Sequence, residues 1–215
     1  MTLLHLDASA RRNSLSRRLS AAFAESRRAA HPGGAYTYRD LAADPVAPIG
    51  EAWTELCDHV LAHEITDIAR YAEAVRTPGQ AEAWSIVEPL LAEVVSADVV
   101  LIGTPMYNFS VPAALKAWID QITFPRMSLK GRRFVVVSAR GGAYGPGTPR
   151  EPYDHQERYL RDFFSGHFGV DEAVFVSAEL SNARVDPRLA DLRDRQAESY
   201  AAALSAVRDL AGDAA

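Results

Sequence analysis

Cysteine is almost missing from this chain. Cys57 is alone, so no internal disulfide can form, and the reducing cytoplasm is the expected location. Lysine is also scarce, occurring only at Lys116 and Lys130. The formal net charge is −5, which leaves no broad electrostatic case for a nucleic-acid partner. No apolar run is long enough to span a bilayer and no leader pattern precedes Leu3, so no membrane partner is expected. The histidines and Cys57 lack metal-ligand spacing, so no metal is expected. The G-x-G-x-x-G, G-x-x-x-x-G-K-[ST] and G-x-S-x-G patterns are absent as well. These absences argue against a Rossmann dinucleotide turn, a P-loop and a serine hydrolase, and no catalytic side chain is indicated.

What is present reads as an alternating α/β chain. The 215 residues suit one domain, expected over 1–215. "LLHLD" (Leu3 to Asp7), "AYTYRDL", "ADVVLIG", "RRFVVVSARGG" and "EAVFVSAE" are strand candidates. Helical periodicity follows the first in "SLSRRLSAAFAESRRAA", where Leu15, Leu19, Ala22 and Phe23 recur three or four apart until "HPGG" stops it. Residues 51–95 read as helical, broken at "RTPGQ". Further helices follow Pro112, cover "YDHQERYLRDFFSGHFG" up to Gly169, and run from Arg188 to Leu210. This order predicts a parallel sheet with helices on both faces, and five strands match the flavodoxin-like order 2-1-3-4-5.

In such sheets ligands bind beyond the carboxyl ends of the strands, which singles out three loops. The first, "ASARRNSLS", offers Ser9, Asn13, Ser14 and Ser16 at a helix start flanked by Arg11 and Arg12. Unpaired amides there suit a phosphate, although serine and asparagine are equally expected as plain N-caps. The second, "TPMYNFSVP", places Pro105, Met106, Tyr107, Asn108 and Phe109 where loops are usually small and polar. Those side chains either form a shelf for a flat ligand or pack under the next helix. The third, "ARGGAYGPG", has Gly141 and Gly142, which allow close backbone approach or merely a turn, followed by a flap carrying Tyr144. His155 reads as structural or exposed, and Asp98 as a strand-start residue.

Together the stretches "DASARRNSLSRRL", "RTPGQAE", "PMYNFSVPAALKAWID", "ARGGAYGPG" and "DHQERYLRDFF…FGV" resemble the FMN-dependent NADH azoreductases, flavodoxin-like NAD(P)H:quinone reductases. The resemblance implies FMN as cofactor, with Ser9, Ser14, Leu15 and Ser16 at its phosphate. It places Pro105, Met106, Tyr107, Asn108 and Phe109 along its ring, and Ala139, Arg140, Gly141 and Gly142 at the pyrimidine end. Tyr144 and Phe124 are implied near the substrate. It further implies NADH or NADPH as donor, a quinone, azo compound or other small flat aromatic acceptor, a ping-pong exchange, and a homodimer with FMN at the interface. Two departures stand out. Ala10 replaces a usual proline, and "ITFPRMSLKGRR" (Ile122 to Arg133) is shorter than the family's segment, which implies a more open or differently shaped pocket. The short segment also leaves room for a dedicated pathway reductase acting on one aromatic intermediate. The fold alone permits a flavin-binding electron carrier without its own substrate.

Overall fold

The computed structural model describes residues 1–212. Five parallel strands form one sheet in the order β2-β1-β3-β4-β5. They are β1 (Leu3–Asp7), β2 (Tyr36–Asp40), β3 (Val99–Pro105), β4 (Arg133–Ala139) and β5 (Val174–Ala178). The expected strand order and the helices on both faces are therefore observed. The helices are α1 (Leu15–Ala30), α2 (Glu51–Ala62), α3 (Pro78–Ser96), α4 (Ala113–Ile122), α5 (His155–Phe163) and α6 (Arg193–Gly212).

Alternation along the strands sorts the core into two layers. Leu4, Leu6, Val100, Ile102, Phe134 and Val136 point to the face covered by α2, α3, α4 and α5, with Leu56, Val87, Leu115, Trp118 and Leu160 packed on them. Leu3, Val99, Leu101, Val135 and Val137 point the other way, under Leu19 and Phe23 of α1 and Ala203 and Val207 of α6. The central strand β3 is buried along its whole length, as a strand covered on both faces must be.

Local signals explain the helix ends. Ser14 caps α1, its side chain accepting from the Arg17 amide, and Thr77 caps α3 with Pro78 in the first turn. The expected break at residues 76–80 is thus the start of α3. Residues 51–95 break a second time near Glu64, whose φ is 51°, and a 3-10 turn, Ile68–Ala74, fills the gap. The last helix begins later than expected because Pro187–Leu192 forms a 3-10 turn ahead of Arg193. Helix α5 widens into a π turn, Phe164–Phe168, and ends on left-handed Gly169.

The carboxyl end of β1 carries a buried acid. Asp7 is 3% exposed, and it accepts from Ser20 Oγ on α1 at 2.8 Å. A Cβ on Gly103 of β3 would collide with Asp7 Oδ1 and Ser20 Oγ. Glycine at 103 is what lets α1, this acid and the central strand meet. Among the described residues no helix is long and apolar enough to cross a membrane.

Candidate functional site

A cavity of about 710 Å³ opens at the carboxyl edge of the sheet, where β1 and β3 diverge and strand order reverses. Four loops wall it. The loop after β1 supplies Ser9, Arg11, Asn13, Ser14 and Leu15. The loop after β3 supplies Pro105, Met106, Tyr107, Asn108 and Phe109, and the loop after β4 supplies Ala139, Gly141 and Tyr144. Ser181, Asn182, Arg184 and Val185 come from the loop after β5.

The serine end is a helix start held by one arginine. Helix geometry leaves the Leu15 and Ser16 amides without intrahelical acceptors at the positive end of α1. Ser14 Oγ sits 3.2 Å from Ser16 Oγ. It caps the helix and lines the cavity at once. Ser16 is fully buried behind it and does not line the cavity. Arg17 donates to the Ser9 carbonyl through Nε at 3.2 Å and Nη2 at 2.7 Å. The same guanidinium reaches Asp40 Oδ1 at 2.6 Å, Tyr38 Oη at 3.0 Å and Asp7 Oδ2 at 3.6 Å. Partial burial disfavours the charge on Arg17, but its hydrogen bond to Asp40 and the nearby Asp7 and Asp40 carboxylates outweigh it and push its pKa up. Tyr38 is pushed up to about 12, first by partial burial and then by its hydrogen-bonded neighbour Asp7. It is therefore a neutral hydroxyl at ordinary pH.

The aromatic end is a tight hairpin turn. Tyr107 and Ser110 exchange both backbone hydrogen bonds at 3.0 Å, and Asn108 and Phe109 between them have φ of 49° and 67°. Two consecutive positive φ values are the mark of a primed two-residue turn, where glycine usually takes the second place. A phenylalanine held there costs roughly 1–3 kcal/mol of backbone strain. The surroundings impose it. The Phe109 carbonyl accepts from the His155 amide at 3.1 Å, and the ring stacks on Tyr153 at 5.5 Å and meets Tyr144 edge-on at 6.3 Å. Buried Gln156 Nε2 donates to the Pro105 carbonyl at 2.8 Å, which pins the loop to α5.

The glycine end differs from the expectation. A Cβ on Gly141 would lie 2.8 Å from Nδ2 of Asn182, so glycine here admits the Asn182 carboxamide, and that carboxamide lines the cavity. Gly142 lies outside the lining and makes room for Arg150. Arg140 is also outside it. Its buried guanidinium donates to Asp154 Oδ2 at 2.7 Å and Glu157 Oε2 at 3.0 Å, which makes it a strut to α5. The Arg140 amide is consumed by the Ala178 carbonyl at 2.9 Å.

One expected substrate residue is corrected. Phe124 is 1% exposed, stacked on Tyr71 and tilted against Trp53. It belongs to the core under α2 and α3. Met127 and Leu129 of the same short segment are buried too, and none of residues 122–133 lines the cavity. Tyr144, the other expected substrate residue, does line it. The exposed His155 contributes its backbone amide. Cys57 is buried, and its thiol is pushed up to about 12, mainly by burial, so it is a poor nucleophile. The loop after β5 carries the residues that sequence reasoning missed. Its signal was available, because it too follows the carboxyl end of a strand.

A doubly wound parallel sheet with a polar helix start and an aromatic turn facing one cavity defines a flavodoxin-like cofactor-binding protein. The chain belongs to the family of FMN-dependent NADH:quinone oxidoreductases within the flavodoxin-like fold family Flavodoxin_2, whose match covers residues 1–204. It is 66% identical to an FMN-dependent NADH:quinone oxidoreductase of Nocardia farcinica, over 97% of each chain. It is 38% identical to another from a Parafrankia species, over 97% of this chain and 98% of that one. Among solved structures, the azoreductase AzrA superposes with a TM-score of 0.79 over 99% of each chain at 24% identity, a likeness of fold.

Proposed function

We propose that the protein passes two electrons from NADH, through FMN, to a quinone or another flat aromatic acceptor. NADPH is the less favoured donor, since the curated relatives are named for NADH. The observation that carries the reading is the single cavity with a phosphate-competent helix start at one end and the Met106–Phe109 turn at the other.

The residues fit FMN. The Leu15 and Ser16 amides, with the Ser9 and Ser14 hydroxyls, would hold the phosphate, and Arg17 fixes the Ser9 carbonyl from behind. Ser16 would act through its amide alone, because its side chain is buried. Pro105, Met106, Tyr107, Asn108 and Phe109 would wall the ring. At the pyrimidine end Gly141 and Asn182 would be the contacts, with the Gly141 amide available where negative charge develops. Ala139 borders it, and Arg140 positions it through α5. When bound, FMN would supply the two-electron chemistry between donor and acceptor. The chain's task is then to orient the ring, to place amides where negative charge develops, and to leave one face open through Tyr144 and Val185. One open face serves both substrates in turn, which is a ping-pong exchange.

A second copy of the chain is the expected cover for the mouth. Tyr107, Phe109, Tyr153 and Val185 are exposed together there, and clustered exposed apolar side chains mark association sites. Three measurements test the function: the visible spectrum of the purified protein, anaerobic titration with NADH and NADPH, and initial rates against a simple quinone. Parallel double-reciprocal lines are the expected result. A colourless protein that FMN cannot reconstitute overturns the reading, and bound flavin that NADH never reduces leaves an electron carrier instead.

A further inference from the structure

A second groove lies on the far side of the serine loop, between α1 and the edge strand β2, with a volume of about 420 Å³. That is within the usual range of small-molecule sites. On α1 its wall is a stripe of Arg18, Ala21, Glu25 and Arg28, three or four residues apart and so on one helix face. On β2 its wall is Tyr36 and Tyr38, which share a side of the strand and are 37% and 46% exposed. Asn13 is the one residue it shares with the first cavity.

Two features mark this groove as built for a ligand. The first is unspent positive charge in a protein of net charge −5. Arg17 is committed to Asp40 and Asp7. Among the described residues the side chains of Arg12 and Arg18 have no ion-pair or hydrogen-bond partner, and that of Arg28 lies over the Tyr36 ring at 4.7 Å. The second is a polar floor. His5 is 2% exposed, its Nδ1 engages Tyr36 Oη at 3.0 Å, and its Nε2 lies 3.5 Å from Asp7 Oδ2, a carboxylate that also lines the groove.

We propose that this groove binds a nucleoside diphosphate. The diphosphate would sit on Arg12 and Arg18, near the positive end of α1. The base would lie on Tyr36 and Tyr38 beside Arg28. Arg18 and Arg28 are ten residues apart on the helix, about 15 Å at 1.5 Å per residue, which matches an extended ligand of that class. The site stands apart from the flavin reading, since its phosphate and base contacts lie outside the first cavity.

The test is calorimetric titration of the FMN-loaded, full-length protein with ADP and, separately, inorganic pyrophosphate, at low and high salt. ADP is expected to bind more tightly than pyrophosphate, and both should weaken with salt. R18Q/R28Q should weaken both ligands by at least about tenfold, the size expected for losing one charge-assisted contact, while NADH oxidation stays unchanged. Y36L should weaken ADP alone. Absence of ADP binding at millimolar concentration, or binding unaltered in R18Q/R28Q, overturns the site. Equal affinity for ADP and pyrophosphate overturns the nucleoside assignment.

Discussion

Replacing Arg17 with Met tests whether the phosphate end of the cavity is shaped from behind. The guanidinium of Arg17 is 13% exposed, and its acid partners Asp7 and Asp40 are 4% and 26% exposed. Removing one partner of a buried pair typically costs about 3–5 kcal/mol, because the other charge is left uncompensated. The partial exposure of Asp40 places Arg17→Met near the lower end, about 3 kcal/mol by denaturant unfolding. The loss should depend on pH. Burial of Asp40 tends to raise its pKa, but hydrogen bonds from Arg17 and the Ala43 and Ala42 amides, with the Arg17 charge, bring it below the usual value. A lowered carboxyl contributes stability above its unfolded pKa, about 3.9, and that stability is lost as pH falls through the folded value. The gap between wild type and variant should therefore narrow below about pH 4. Binding carries the sharper signature. Freed from Nε and Nη2, the Ser9 carbonyl and its loop lose their fixed position. FMN affinity should fall by about 10- to 100-fold, the equivalent of one charge-assisted hydrogen bond, while riboflavin, which lacks the phosphate, binds as before. Flavin fluorescence quenching reads both affinities. An FMN affinity within twofold of wild type, or an equal loss for riboflavin, would refute the argument.

Other positions carry their own expectations. Phe124→Ala should cost about 3–5 kcal/mol of stability, as for other buried phenylalanines, with quinone kinetics of the folded fraction unchanged; a selective rise in KM would return Phe124 to the pocket. Phe109→Gly should be more stable than Phe109→Ala by about 1 kcal/mol, because only alanine retains the left-handed cost, and equal thermal midpoints would count against a strained turn. Tyr38, Tyr71 and Tyr159 are each pushed up to about 12, mainly by burial. Their contribution to stability is whole below the unfolded value near 10 and is lost as pH rises towards 12. Alkaline absorbance titration should show these tyrosines ionising late, and Tyr38→Phe should remove one of them.

Much of this was legible in the residues. The branched run of β3, the Ser14 cap and Pro112 are local signals, and each marks the element it begins or forms. The parallel order follows from alternation, and the carboxyl-edge rule then gathers three loops that are far apart in the chain. What escaped depends on contacts across the chain. Phe124 follows Thr123 in a stretch that resembles a flavin-side segment, yet Trp53, Tyr71 and Trp84 close over it from distant elements. Arg140 sits in the run expected at the cofactor, but Asp154 and Glu157 draw its charge inward. Gly141 advertises close approach without saying what approaches, and Asn182 is visible only once β5 is laid beside β4. The groove between α1 and β2 was equally hidden, because an arginine stripe on a helix reads as a solvated face until the edge strand's tyrosines are set opposite it.

The start of α5 ties two walls of the cavity to one post. Gln156 holds the aromatic turn through Pro105 and Ser110, and Asp154 and Glu157 hold Arg140 and the glycine run. A tilt of that helix would carry the ring-facing and pyrimidine-facing walls in concert and preserve their spacing. Divergence in acceptor preference within such a frame has least resistance at the rim, in exposed Val185, where a side chain can change without dragging both walls with it.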